Sequence, residues 1–319
     1  MSLEIIRGID GLPDDTRLAV TVGVFDGVHR GHQQVFDVLE QTARRLGAMP
    51  VAVTFDPHPD AVVSGEAPDL LMDQQERLEW ISRYVAGMVV LQRFDEVFRR
   101  TTADEFVERL GGGRNLAALV MTKVSAFGRD RGGTLPVLRA MGAAGGWELV
   151  EAPTLDSGGA RVSSARTREL VAGGQLETAS ALLGRPFALV GTVVYGERRG
   201  RELGFPTANL NFSDPVSLPP DGIYAARATW GGNAVLAPRD QADAVISLGT
   251  QPTFGGRVRL LEVHLLDPDE DLYGQRMRVE FCGWLRDQRR YDSADALIDQ
   301  MRRDVEHSRE VLEQRSARP

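Results

Sequence analysis

The chain contains a single lysine, Lys123, and a single cysteine, Cys282, among 319 residues. One cysteine excludes an internal disulfide and any metal cluster built on thiolates. No glycine-rich loop leads into Lys-Ser or Lys-Thr, which excludes a Walker-type ATP loop. A Schiff-base mechanism would have Lys123 alone to use. Long apolar runs are also lacking. No stretch approaches the roughly 20 residues that span a bilayer, so no membrane partner is expected. The first residues show no basic run followed by an apolar core, so neither a signal peptide nor any location but the cytoplasm is expected. Positive charge is in deficit too: 37 Lys and Arg against 45 Asp and Glu leave a net −8. That balance speaks against nucleic acid as a partner. A small anion is still admissible, because helix N-termini and a few arginines hold phosphate without a basic total.

What is present is a foldable chain. With 42% hydrophobic and 26% charged residues, it can bury a core, and its length fits about two domains. Residues 18–25 read as a buried strand and 32–46 as a helix, with Val35, Val38, Leu39, Ala43 and Leu46 at helical spacing and Gly47 as its stop. Strands follow at 51–55, 88–91, 116–121 and 147–151. Helices alternate with them at 74–86, 102–110 and 134–144, the second opened by a Thr102/Glu105 capping box. Strand alternating with helix predicts a doubly wound parallel sheet. Two short helices, 164–172 and 175–183, precede Gly184-Arg185-Pro186, where the pattern changes. Short β-rich runs at 187–195, 223–230, 243–248, 257–266 and 277–285 predict a small antiparallel barrel. A helix over about 293–315 offers Leu297, Ile298, Met301 and Val305 to it. The expected division is 1–184 and 185–319.

The densest chemistry lies in Gly23-Val24-Phe25-Asp26-Gly27-Val28-His29-Arg30-Gly31-His32, at the end of the first strand and the start of the first helix. Ligands of such sheets bind at the carboxyl ends of strands. Gly23, Gly27 and Gly31 let backbone approach a ligand, and the helix N-terminus favours phosphate. His29 and His32, three residues apart, can face one point and stabilise charge as pyrophosphate leaves. His58 lies in Thr54-Phe55-Asp56-Pro57-His58-Pro59, after the second strand. The alternative is that His29 and His32 form a metal pair or are ordinary polar residues at a turn.

His29-x-Gly31-His32 resembles the HxGH nucleotidyltransferase superfamily. The longer run from Gly23, with the 54–59 segment, resembles the bacterial bifunctional riboflavin kinase/FAD synthetases. That resemblance implies an FMN adenylyltransferase domain of Rossmann-like fold. It implies a second phosphate motif at Val162-Ser163-Ser164-Ala165-Arg166-Thr167-Arg168, with Ser163, Ser164 and Arg168 on the nucleotide and Phe25 and Asp26 beside it. Two departures stand out. Ala165 replaces a hydroxyl residue of the family. In Met121-Thr122-Lys123-Val124-Ser125-Ala126-Phe127-Gly128 the family usually carries Asp or Asn and then Phe where Val124 and Ser125 stand.

The segment Gly191–Leu210 strongly resembles the riboflavin kinase signature. Gly196, Gly200 and Gly204 make a loop able to lie against a triphosphate, and Thr207 and Asn209 offer hard oxygens that suit Mg²⁺. On the strand Leu261-Glu262-Val263-His264-Leu265, alternation puts Glu262 and His264 on one face. The resemblance gives Glu262 the role of base toward a riboflavin hydroxyl. Asp221-Gly222-Ile223-Tyr224, Gly249-Thr250-Gln251-Pro252-Thr253-Phe254 and Asp271-Leu272-Tyr273-Gly274 match the same family. So does a flavin-side loop, Leu285-Arg286-Asp287-Gln288-Arg289-Arg290-Tyr291, with Gln288 where Glu is usual.

The expectation is therefore an ATP- and Mg²⁺-dependent enzyme that phosphorylates riboflavin to FMN and adenylylates FMN to FAD. The rivals are a kinase with a degenerate first domain, a flavin-binding regulator, and an HxGH transferase acting on a phosphopantetheine or nicotinamide nucleotide. The sequence makes no prediction of oligomeric state.

Overall fold

The computed structural model describes residues 5–112, 114–196, 203–253, 256–266 and 271–316, without the side chains of 251–253, 256–258 and 316. Gly200 lies outside the described residues. The chain forms two compact units: Met1–Asp69 with Arg77–Arg166, and Leu70–Glu76 with Thr167–Pro319.

The first unit is built on β1 (Ile5–Arg7), β2 (Leu18–Val22), β3 (Met49–Asp56), β4 (Met88–Arg93), β5 (Leu116–Thr122) and β6 (Glu148–Ala152). All their pairings are parallel, in the order β1-β4-β3-β2-β5-β6. The expected sheet is present, extended by β1 at one edge. From β2 the chain adds β3 and β4 on one side, then crosses to place β5 on the other. The crevice at the carboxyl end of β2 is thus the topological switch point. Helices α1 (Arg30–Leu46), α2 (Pro59–Val63), α3 (Gln74–Tyr84), α4 (Ala103–Arg109) and α5 (Leu135–Gly145) occupy the connections. The Thr102/Glu105 capping box forms in both directions. Gly47 ends α1 at φ 59°, a left-handed conformation that costs glycine little.

The second unit is a closed antiparallel barrel. Its strands are β9 (Ala188–Val194), β10 (Ala208–Asn211), β11 (Gly222–Trp230), β12 (Asp240–Thr253), β13 (Gly256–Leu265) and β14 (Arg276–Arg286), ordered β10-β13-β12-β11-β14-β9. A small hairpin of β7 (Asp156–Ser157) and β8 (Ala160–Arg161) precedes α6 (Ser164–Ala172) and α7 (Leu176–Leu183). Strand β10 falls in a stretch whose sequence shows only glycines and a turn. Along β13, Leu261, Val263 and Leu265 are buried while Glu262 and His264 are half-buried on the opposite face, as alternation predicts.

The C-terminal helix α8 (Ala294–Ser316) packs on β11, β12 and β14. Leu71 from the first half of the sequence joins the barrel core beside Leu183, Phe187 and Phe281. Leu70 bridges Val216. Arg278, 8% exposed, is held between Glu76 at 3.0 Å and Glu280 at 2.5 Å, and Arg276 pairs with Asp73. A buried charge of this kind persists only when paired.

Candidate active sites

In the first unit, β2 ends at Val22 and the chain turns tightly before α1. Phe25, Gly27 and Val28 have φ of 55°, 79° and 36°. Glycine adopts this region freely, but Phe and β-branched Val adopt it at a cost of order 1–3 kcal/mol each. The turn is nonetheless packed: Asp26, Gly27 and Val28 are all buried.

His29 is the N-cap of α1, its Nδ1 accepting from the His32 backbone N–H at 3.2 Å. In the neutral ring the proton then sits on Nε2. The two imidazoles stack 3.6 Å apart at 16°, and the Phe25 ring meets His32 edge-on at 5.2 Å. A Cβ at Gly31 would stand 3.2 Å from the His29 ring. Ser164 Oγ donates to the Asp26 carbonyl at 2.8 Å, tying the start of α6 to the turn. Ser163 Oγ accepts from the Arg166 N–H at 3.3 Å and so caps that helix. The structure brings Gly23, Phe25, His29, His32, Ser163 and Ser164 around one cavity of about 260 Å³. Arg168 lies further along α6, in the part belonging to the other unit.

A larger cavity of about 740 Å³ adjoins it, the two sharing Val22, Gly23, Met121, Val124 and Ser125. Its wall is aromatic: Phe55, Phe94, Phe98, Phe106 and Phe127 all line it. Successive rings of this set meet at 4.8–5.7 Å. His58 lines the same cavity and caps α2 through Nδ1. The sequence singled out Phe55, His58 and Phe127 but not Phe94, Phe98 or Phe106. Those three all lie in the connection between β4 and β5, where they carry no motif that links them to Phe55 at the end of β3 or to Phe127 after β5. At 122–125, Thr122 Oγ1 and Ser125 Oγ lie 2.8 Å apart, a hydroxyl pair in the loop that departs from the family pattern.

In the barrel, Glu262 pairs across the ladder with Asn209 on one side and Ser247 on the other. Directly opposed residues share a face, so the three form a row across β10, β13 and β12. Gln288 Nε2 donates to Ser247 Oγ at 3.2 Å and extends the row. Asn209 is buried, and a Cβ on Gly196 would lie 2.1 Å from its Nδ2, so Gly196 passes directly over that amide. Thr207 is half-buried just before β10, and Gly204 turns at φ 84°. His264 Nδ1 bonds the Pro206 carbonyl at 2.8 Å, bracing this loop. Ser247 was not anticipated. Its one sequence signal, alternation on β12, does not reveal its partner.

Arg286, which the resemblance places on a flavin-side loop, forms a two-pronged pair with Asp304 of α8, at 2.8 and 2.6 Å. Burial opposes its charge, but Asp304 more than compensates and raises its pKa.

Among the described residues no group of three His, Cys, Asp or Glu could cage a metal. Thr207 and Asn209 carry hard oxygens of the kind that suits a divalent cation arriving with nucleotide phosphates, which needs few protein ligands.

The riboflavin kinase family model matches residues 183–312, and the FAD synthetase model matches 12–166. A bifunctional riboflavin kinase/FMN adenylyltransferase of Escherichia coli K12 is 34% identical over 314 residues, covering 97% of this chain and 98% of that protein. The chain belongs to this bifunctional family. A Bacillus subtilis member is 28% identical over 92% of both chains. A crystal structure described as a macrolide-efflux protein from Streptococcus pneumoniae matches at TM-score 0.83 and 29% identity, over 97% of this chain and 99% of that one. Among the described residues no helix is long and apolar enough to cross a membrane. Both domains of the family are thus present, and its ATP-using enzymes generally need a divalent metal.

Proposed function

We propose that the portion after Gly184 phosphorylates riboflavin and the portion before it adenylylates the product. The observation that carries this is one chain holding both a His29–His32 stack at a helix N-terminus and a Glu262–Asn209 pair under a glycine. In the barrel, the riboflavin 5′-hydroxyl attacks the γ-phosphorus of ATP. The P–O bond to ADP breaks, and the hydroxyl proton passes to the Glu262 carboxylate. Thr207 and Asn209 would hold the phosphates and a Mg²⁺ ion, which would supply charge neutralisation. Gly196, Gly200 and Gly204 let backbone lie along the triphosphate. Phosphoryl transfer asks mostly for such positioning.

In the first unit, the FMN phosphate attacks the α-phosphorus of a second ATP and pyrophosphate leaves. His29 and His32 donate toward the phosphates as charge grows there, and the dipole of α1 adds to this. Gly23, Gly27 and Gly31 keep the approach open. Ser163, Ser164 and Arg168 complete the nucleotide side, and the phenylalanine-lined cavity takes the flat flavin ring. Riboflavin, FMN and ATP are the small-molecule partners, with no nucleic acid or membrane among them, and the cytoplasm is the place of action.

Glu262→Gln is the test. It should abolish FMN formation from riboflavin by about 100-fold or more, while FAD formation from supplied FMN persists. Loss of both activities in a folded variant would sink the two-site assignment.

A further inference from the structure

Beside the adenylylation cavities lies a third cleft, of about 480 Å³. It is lined by Lys123, Arg131 and Arg139, together with Ser125, Thr134 and a few apolar groups, and no carboxylate lines it. In a chain of net charge −8, three cations on one acid-free cleft are a local reversal of sign. They come from three places: the turn after β5, the 3₁₀ turn Arg129–Arg131, and the second turn of α5.

Their existing partners are weak. Arg131 donates to the Val124 carbonyl at 3.2 Å, which spans the cleft and leaves its charge uncompensated. Arg139 lies 3.9 Å from Glu151, with both side chains largely solvated, a pair worth little. Thr134 is the N-cap of α5, yet its side chain makes no capping hydrogen bond, and the positive end of that helix opens at the cleft. Val124 and Ser125 line this cleft and both neighbouring cavities. An occupant would therefore sit next to the place where adenylyl transfer is assigned.

We propose that this cleft is a second phosphate-oxyanion site, and that its occupant is pyrophosphate. The oxyanion chemistry follows from the cations alone. The choice of pyrophosphate rests on the adenylyl-transfer reading, which releases that anion one cavity away. Three cations lining one cleft match an anion of several charges better than a monoanion, and guanidinium forks suit phosphate oxygens.

The test is isothermal titration of the full chain with sodium pyrophosphate at fixed ionic strength. It compares the wild type with Lys123→Gln/Arg139→Gln, Lys123→Arg and a His29→Asn variant that disturbs the helix-turn site. The wild type should show two sites. The double variant should retain one, with the other weakened about tenfold or more. Lys123→Arg should keep both, and His29→Asn should leave the cleft site in place. Superimposable isotherms for wild type and double variant would overturn the proposal. Sulfate binding as tightly as pyrophosphate would overturn the choice of occupant. Because binding is read without turnover, a chain that makes no FAD yet loses one pyrophosphate site in the double variant would fail the functional reading while upholding the oxyanion site.

Discussion

At position 196 there is no room for a methyl group. The buried Asn209 side chain is the obstacle, its Cγ only 2.6 Å from the added carbon, and its backbone is paired with β9 and β13 on either side. Gly196→Ala should cut riboflavin kinase kcat/KM by about 10–100-fold, the scale of an ångström-sized misplacement. FAD formation from supplied FMN should be unchanged in the same preparation. The spacing of Gly196, Gly200 and Gly204 signalled a close approach to a triphosphate, but not that Gly196 lies over Asn209, a residue of the same segment. The first site divides in the same way. The three-residue spacing of His29 and His32 was legible. The left-handed Phe25 and Val28 were not, since those residue types disfavour that region and only the surrounding packing holds them there.

Helix α8 shows the limit of periodicity at the scale of an element. Its apolar face of Leu297, Ile298, Met301 and Val305 is only half-buried, while Asp304, Ser308 and Leu312 are fully buried. Ser308 Oγ donates to the Ala244 carbonyl at 3.0 Å, and Asp304 clasps Arg286 of β14. A count of apolar residues assigns Asp304 to solvent, because its partner lies on another strand. Asp304→Ala should cost about 1–3 kcal/mol in urea unfolding, since it removes the charged partner of a half-buried guanidinium. Replacing both partners with apolar residues should recover much of that loss, which a double-mutant cycle would measure. Strand β10 was hidden for a related reason: four residues with asparagine at two positions carry little strand signal.

For the whole molecule, alternation of strand and helix foretold the parallel sheet, and short punctuated β runs foretold the barrel. Each unit has its own hydrophobic core. The cores do not partition the sequence cleanly, because Leu70–Glu76 leaves the first unit to pack with the second. A three-residue apolar run, Leu70-Leu71-Met72, is too short to show a period, so nothing local marked Leu71 as a barrel residue. Leu71→Ala should destabilise the barrel by about 2–5 kcal/mol. Kinase activity should then be lost at a lower temperature than in the wild type, while FAD formation from supplied FMN survives to its usual temperature.

The scarcity of lysine has a practical side. Across these 319 residues, an amine-selective acylating reagent meets only the ε-amine of Lys123 and an α-amine. Lys123 stands exposed at the lip of the basic cleft. Mass spectrometry of a single tryptic peptide thus becomes a footprint of that cleft, reporting protection as pyrophosphate is added, with no engineered label in the chain.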